Sequence, residues 1–307
     1  MTYCVGLVLE HGLVMASDSR TNAGVDYVTT FSKMHVYTPA PDRIFILLSA
    51  GNLATTQEVM NRIQRDLEHP SEVGSLLTAR YMFEAADYVG KISLSVQRDH
   101  GPALQASGVN AETTLILGGQ IQGQDPGLYM IYPQGNYFAA TPETPYLQIG
   151  ENKYGKPSVD RIVDTRMSLD DGARLLLVSL DATTRSNLTV GPPFELAICP
   201  RDAMQLSHYR KYEANDPYLQ SVQQSWNQGI RNAFDGLPRF DWELLQAPAA
   251  GGETAAGAPA EATLKDQQPM AGTPAAPEPQ QALSAETPAD GGGQAQPVPG
   301  WTAGGQG

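Results

Sequence analysis

Only two cysteines, Cys4 and Cys199, occur in 307 residues, which excludes a disulfide framework. Cys4 falls within an apolar run and Cys199 ends one, so both are expected as buried free thiols in a reducing cytosol. Long apolar runs are also missing, and none approaches the roughly 20 residues needed to cross a bilayer. The first twenty residues carry no basic leader region, and Glu10, His11 and Asp18 interrupt their apolar stretches, so no secretory leader is expected. Positive charge is scarce. Lys and Arg number 20 against 33 Asp and Glu, a formal charge of −13. A chain of that sign lacks the cationic clusters that hold a nucleic-acid backbone. Several chemical signatures are absent too: G-x-x-x-x-G-K-[ST], H-E-x-x-H, paired C-x-x-C and G-x-S-x-G. The five histidines are scattered, and neither a metal nor an organic cofactor is expected.

What remains is enough to build a core, with 41% hydrophobic residues. They stop abruptly. Residues 246–307 are mostly Ala, Pro, Gly, Gln, Thr and Glu, with one lysine and six acidic residues, a net −5 of the −13. Such a stretch cannot bury enough surface to offset the entropy of ordering, and it is expected to be a disordered tail. Within 1–245 the apolar runs 3–9, 13–17, 34–38 and 43–49 read as strands, the first two covered on both faces. Helical spacing follows over 55–68 and 75–97. Strands are then expected at 113–118, 127–132 and 145–149, and a helix at 155–165. A second helix begins at Ser168, with Asp171 as a partial capping partner, and a last strand spans 194–199. That order suggests antiparallel sheets with helices in paired blocks rather than alternating βαβ units. Residues 201–245, polar and aromatic, are expected to be a helical extension.

The chemistry-bearing candidates start at the N-terminus. Thr2 follows Met1, and a small residue there is compatible with Met1 removal. An N-terminal threonine carries nucleophile and base together, because its α-amine, with an ordinary pKa of about 7.7–8.0, can accept the hydroxyl proton. Threonine at position 2 is by itself ordinary. Sixteen residues on, the second strand ends at Ser17-Asp18-Ser19-Arg20, and Lys33 stands thirteen residues after Arg20. If the first hairpin joins 2 and 18, Asp18 and Lys33 can pair beside Thr2, where an ammonium favours the deprotonated nucleophile. Taken separately, Asp18 reads as a turn residue and Lys33 as a surface charge.

Together, an N-terminal Thr, this Asp and Lys, and an Ala-Gly after the fourth strand resemble proteasome β-type subunits. They resemble most the Anbu (ancestral β-subunit) family of bacteria. The segments MTYCVGLVLEHGLVMASDSRTNAGVD, SAGNLATTQ, IGENKYGKP and SLDATTRSNLTVG carry the likeness over most of residues 1–200. The resemblance implies an α+β fold, a four-layer αββα sandwich of two antiparallel sheets. It implies a threonine-type peptidase with Thr2 as nucleophile, Asp18 and Lys33 as its charge pair, and the Gly51 N–H as oxyanion donor. Arg20 would brace that pair, and the substrate pocket would lie near Arg20, Lys33 and residues 49–53, with Arg20, Ser49 and Asn52 as substrate-binding residues. Two departures stand out. Glu151 replaces a serine that assists the amine; its carboxylate could hold the amine protonated or act as the base itself. Ser186 stands where an Asp is usual, and Thr189 where a Ser is usual. The resemblance further implies a cytoplasmic homo-oligomer, a ring or a helical assembly, acting on peptides or unfolded protein. An unfolding ATPase partner follows by analogy only. A catalytically weak scaffold that binds peptides, and an amidohydrolase for small amides, stand as alternative functions.

Overall fold

The computed structural model describes residues 1–22, 28–69 and 74–245. The first two apolar runs form β1 (Tyr3–Leu9) and β2 (Gly12–Asp18), followed by the short strands β3 (Arg20–Asn22) and β4 (Val28–Thr30). Next come β5 (Met34–Ala40), β6 (Arg43–Gly51), α1 (Leu53–Glu68) and α2 (Met82–Ala106). Then follow β7 (Thr113–Ile121), β8 (Gly127–Ile131), β9 (Tyr137–Ala139) and β10 (Tyr146–Gly150). The chain continues through α3 (Lys156–Ile162), α4 (Leu169–Ser186), β11 (Phe194–Pro200), β12 (His208–Tyr212), α5 (Pro217–Asp235) and α6 (Asp241–Leu245).

The strands make two five-stranded sheets, ordered β10-β1-β2-β11-β12 and β5-β6-β7-β8-β9, with β3 and β4 paired apart from both. Every pairing is antiparallel. Side chains alternate along each strand, which divides the core into layers. Val5, Leu7 and Val14 face Leu176 and Leu180 of α4. Cys4, Leu13 and Met15 face the other way, against Ile44, Ile46 and Leu48 of β6. Phe45 and Leu47 meet Ile63 of α1 and Val89 of α2. The result is the expected αββα sandwich, and β1 and β2 are apolar throughout because both of their faces are covered. Both thiols are free and buried, as expected.

Several boundaries differ from expectation. α2 begins at Met82, not Ser75, because the Arg43 guanidinium takes the carbonyls of Leu76, Leu77 and Ala79 at 3.3, 2.6 and 2.8 Å. A helix through 75–81 would need those carbonyls for its own ladder. α2 also runs beyond 97, to Ala106, with Pro102 inside it. The extension is not wholly helical, since His208–Tyr212 pairs with β11 as an edge strand; its polar sequence fits an edge exposed on one side. The chain divides into two units, Met1–Phe240 and Asp241–Gly307. Of the second, only α6 is described, a short helix with Asp241 and Glu243 in its first turn. The expected tail, 246–307, lies outside the described residues.

Candidate active site

Register places the candidate residues at one end of the sandwich. In the first sheet Tyr3 lies opposite Gly150, Cys4 opposite Ser17, and Phe194 opposite Asp18, so the start of β1 and the ends of β2 and β10 meet. In the second sheet β6 ends at Gly51, and the Ser49 N–H donates to the Lys33 carbonyl at 3.0 Å, just before β5. Thr2, Lys33, Ser49, Gly51 and Gly150 line a common cleft of about 330 Å³.

The ion pair is the best-defined part. Lys33 Nζ donates to Asp18 Oδ1 at 2.7 Å and to the Arg20 carbonyl at 2.7 Å. Asp18 is fully buried and Lys33 only 6% exposed. Asp18 also accepts the Tyr3 N–H at 2.9 Å and the Gly191 N–H at 3.3 Å. Burial pushes its carboxyl up from the ordinary value, while Lys33 and the two N–H donors pull it back without fully reversing the shift. The Tyr3 bond ties the residue after Thr2 to Asp18, and through Asp18 it holds Lys33 beside the N-terminal strand. An α-amine here feels the same groups. On Met1 it lies below its ordinary value, through burial first and Lys33 second, with Asp18 and Glu151 opposing. An amine so placed is the more readily a proton acceptor near neutral pH.

Two glycines fix the walls. Gly150 has φ +83°, and a Cβ there would stand 2.0 Å from the Thr2 carbonyl oxygen. The Glu151 N–H donates to that oxygen at 2.7 Å, so Thr2 is clamped by the turn after β10. Gly51 has φ +128°, and a Cβ there would lie 2.3 Å from the Glu112 carbonyl oxygen. Both positions require glycine.

The remaining candidates separate. Ser49 lines the cleft. Glu151 is buried beside Thr2, and its Oε2 accepts the Asn187 amide at 3.1 Å. Arg20 and Asn52, expected at the substrate pocket, are outside the cleft lining. Arg20 spans to the carbonyls of Leu188 and Val190, at 2.7 and 3.4 Å, and braces the 188–191 loop. Asn52 caps α1, accepting the Thr55 N–H at 3.1 Å. Ser186 is exposed at the end of α4 and is likewise outside the lining. Its neighbour Asn187 makes the contact with Glu151, while Asp181 pairs with Arg185 at 2.9 Å on the same helix. Thr189 donates from its N–H and hydroxyl to Asn187 Oδ1, at 3.0 and 2.6 Å.

Sequence reasoning missed Glu195. It is fully buried in β11 and accepts from Ser32, Tyr209 and Lys211, at 2.7, 2.6 and 2.9 Å. Ser32 precedes Lys33 and lines the cleft, so this carboxylate anchors the approach to the site. An acid inside the apolar run Phe194–Cys199 was the available signal, since buried carboxylates need partners. Among the described residues no cluster of potential metal ligands occurs, and no helix is long and apolar enough to cross a membrane.

The chain that places Thr2 beside this buried Lys33–Asp18 pair resembles known proteins. The family described as "Proteasome subunit" matches residues 2–199. An Anbu (Gly-1) mutant from Hyphomicrobium sp. strain MC1 is 42% identical, over 78% of this chain and 100% of that one, with a TM-score of 0.74. This chain belongs to the Anbu family of proteasome-like proteins. Anbu from Yersinia bercovieri is 39% identical, over 78% of this chain and 98% of its own, with a TM-score of 0.73. Anbu from Pseudomonas aeruginosa, solved as a helical assembly, is 39% identical over 77% of this chain and 97% of its own, with a TM-score of 0.72. No curated protein matches. The Anbu matches and the sandwich agree on an N-terminal-nucleophile hydrolase fold.

Proposed function

We propose that this Anbu chain is a self-assembling threonine-type peptidase of the cytoplasm, with Thr2 as its nucleophile once Met1 is removed. The observation that carries the reading is the buried Lys33–Asp18 pair, 2.7 Å apart, whose lysine opens on the same cleft as Thr2 and Gly51. In this reading the Thr2 hydroxyl attacks a peptide carbonyl and its proton passes to the Thr2 α-amine. The Lys33 ammonium favours the alkoxide, and the Gly51 N–H takes the charge that develops on the carbonyl oxygen. Collapse of the tetrahedral intermediate breaks the C–N bond. The amine returns its proton to the leaving group and leaves an ester on Thr2, which water then hydrolyses. The substrate is a peptide or an unfolded protein, and an unfolding ATPase partner rests on analogy alone.

The helical assembly of the Pseudomonas aeruginosa relative supports assembly from identical copies here. A second reading, a scaffold that binds peptides with little turnover, is favoured by Glu151 and Ser186. Glu151 puts a buried carboxylate beside the amine, which stabilises its protonated form, and Ser186 is exposed and outside the cleft lining. Intact mass and peptide hydrolysis by the full chain separate the readings. The peptidase lacks Met1 and loses hydrolysis in Thr2→Ala with assembly intact. Retained Met1, or hydrolysis undiminished in Thr2→Ala, contradicts Thr2 as nucleophile; a folded, Met1-free chain with no hydrolysis favours the scaffold.

A further inference from the structure

α5 begins on the body and then leaves it. Leu219 is buried and Val222 packs against the α4 core, whereas Ile230, Phe234 and Leu237 are 52%, 71% and 59% exposed. These residues, with Trp226 between the two groups, recur at three- and four-residue steps, so one apolar stripe runs from the buried half onto the exposed half. The helix is nearly uncharged. Arg231 and Asp235 are the charged residues of Pro217–Asp235, and the other polar positions are Gln, Ser, Asn and Tyr. A solvated helix face usually carries charge, while interface cores are poor in charge and rich in aromatics. Beside the buried half, between α4 and α5, lies a groove of about 730 Å³ whose apolar lining includes Leu175, Val178, Val222 and Trp226, with the Asp171–Arg174 ion pair also in its wall.

Stripe and groove therefore sit on one helix, half its length apart. We infer that α5 is a self-complementary docking surface whose occupant is α5 of a second copy of this chain, packed antiparallel. With Ile230 of one copy opposite Trp226 of the other, Phe234 falls opposite Val222, which is only partly covered by its own subunit. By symmetry both exposed stripes then enter both grooves. A two-fold contact needs this reciprocity, because residue i must meet j while j meets i. No charged residue of either helix is placed opposite a like charge in that register. The inference rests on the self-assembly reading above and assigns one of its contacts to α5.

The test uses the full chain, Met1 removed, by light scattering after size exclusion. Phe234→Glu should lower the assembled mass at least two-fold while leaving the subunit folded, with an unchanged circular dichroism spectrum, because Phe234 is exposed on the isolated subunit. In an equal mixture of Val222→Cys and Phe234→Cys chains, mild oxidation should join the two different chains through residues 222 and 234. The native cysteines are buried and should not compete. Undiminished mass in Phe234→Glu overturns the inference and leaves self-assembly standing. A monomeric wild type overturns both. Hydrogen exchange at 228–237 that is slow in the monomeric full chain, and fast once 246–307 is deleted, assigns the face to the chain's own tail and also overturns it.

Discussion

Replacing Gly150 by alanine perturbs Thr2 without removing any group of the site. The added Cβ would lie 2.0 Å from the Thr2 carbonyl oxygen and 2.7 Å from its carbon. Contacts under 3.0 Å are not tolerated, so the carbonyl must retreat by about 1 Å. The left-handed φ costs an L-residue about 1–2 kcal/mol, and the strained Glu151 N–H bond to Thr2 is worth about 1 kcal/mol more. A loss of about 2–3 kcal/mol lowers Tm by about 4–12 °C in a domain of this size. Reaction is more sensitive than stability, because a displacement of about 1 Å at the reacting group can cost about 100-fold. The assay is the second-order rate of covalent labelling by a peptide epoxyketone, measured well below the variant's Tm. Gly101→Ala is the control. It lies within α2, far from the site, with nothing inside 4 Å of the new Cβ beyond its chain neighbours, and should label as wild type; no gain in stability is expected, because Pro102 follows it and disfavours a helical residue that carries a Cβ. A Gly150→Ala chain that melts lower but labels at the wild-type rate would refute the claim that this clamp positions the nucleophile.

Lys33→Ala should lose labelling almost entirely and about 3–5 kcal/mol of stability, since it leaves the Asp18 carboxyl buried without its partner. Chemical denaturation reads the second effect, and wild-type labelling would mean Lys33 has no part in activating Thr2. Glu195 gives a pH prediction. Burial pushes its carboxyl up, but the bonds from Tyr209, Lys211 and Ser32 together outweigh burial and leave it below the ordinary value. A carboxyl depressed in the folded state contributes stability that is present above its unfolded pKa, near 4.3, and lost as pH falls through the folded one. Glu195→Gln should therefore be about 1.5–3 kcal/mol less stable at pH 7 and show a flatter acid limb below about pH 4.3. An acid limb as steep as that of the wild type would show that Glu195 does not titrate this way.

Much of the fold was legible because apolar runs and helical spacing are local signals. β1, β2 and β6 came from continuous apolar runs, and the α4 start from Ser168, whose Oγ accepts the Asp171 N–H at 3.0 Å. The misses share a cause, namely partners far away in the chain. Arg43 unwinds 75–81 from a neighbouring strand, and β12 is a strand because β11 offers it an edge. Within the site, Thr2, Asp18, Lys33 and Gly51 were recognisable as a pattern, but Arg20 and Asn52 turned out to brace a loop and cap a helix. Asn187 could not be foreseen as the partner of Glu151, because their contact joins positions 36 residues apart through the end of α4. Gly191, 173 residues from Asp18, reaches it only through the 188–191 loop that Arg20 holds.

The central claim is that Thr2 is an activated N-terminal nucleophile. Its most direct test is mass spectrometry of the full chain after exposure to a peptide epoxyketone, with the adduct mapped by fragmentation. A single adduct on Thr2 of Met1-free protein, absent in Thr2→Ala, is the predicted result. A folded, Met1-free chain that never labels, or labels elsewhere, would contradict it.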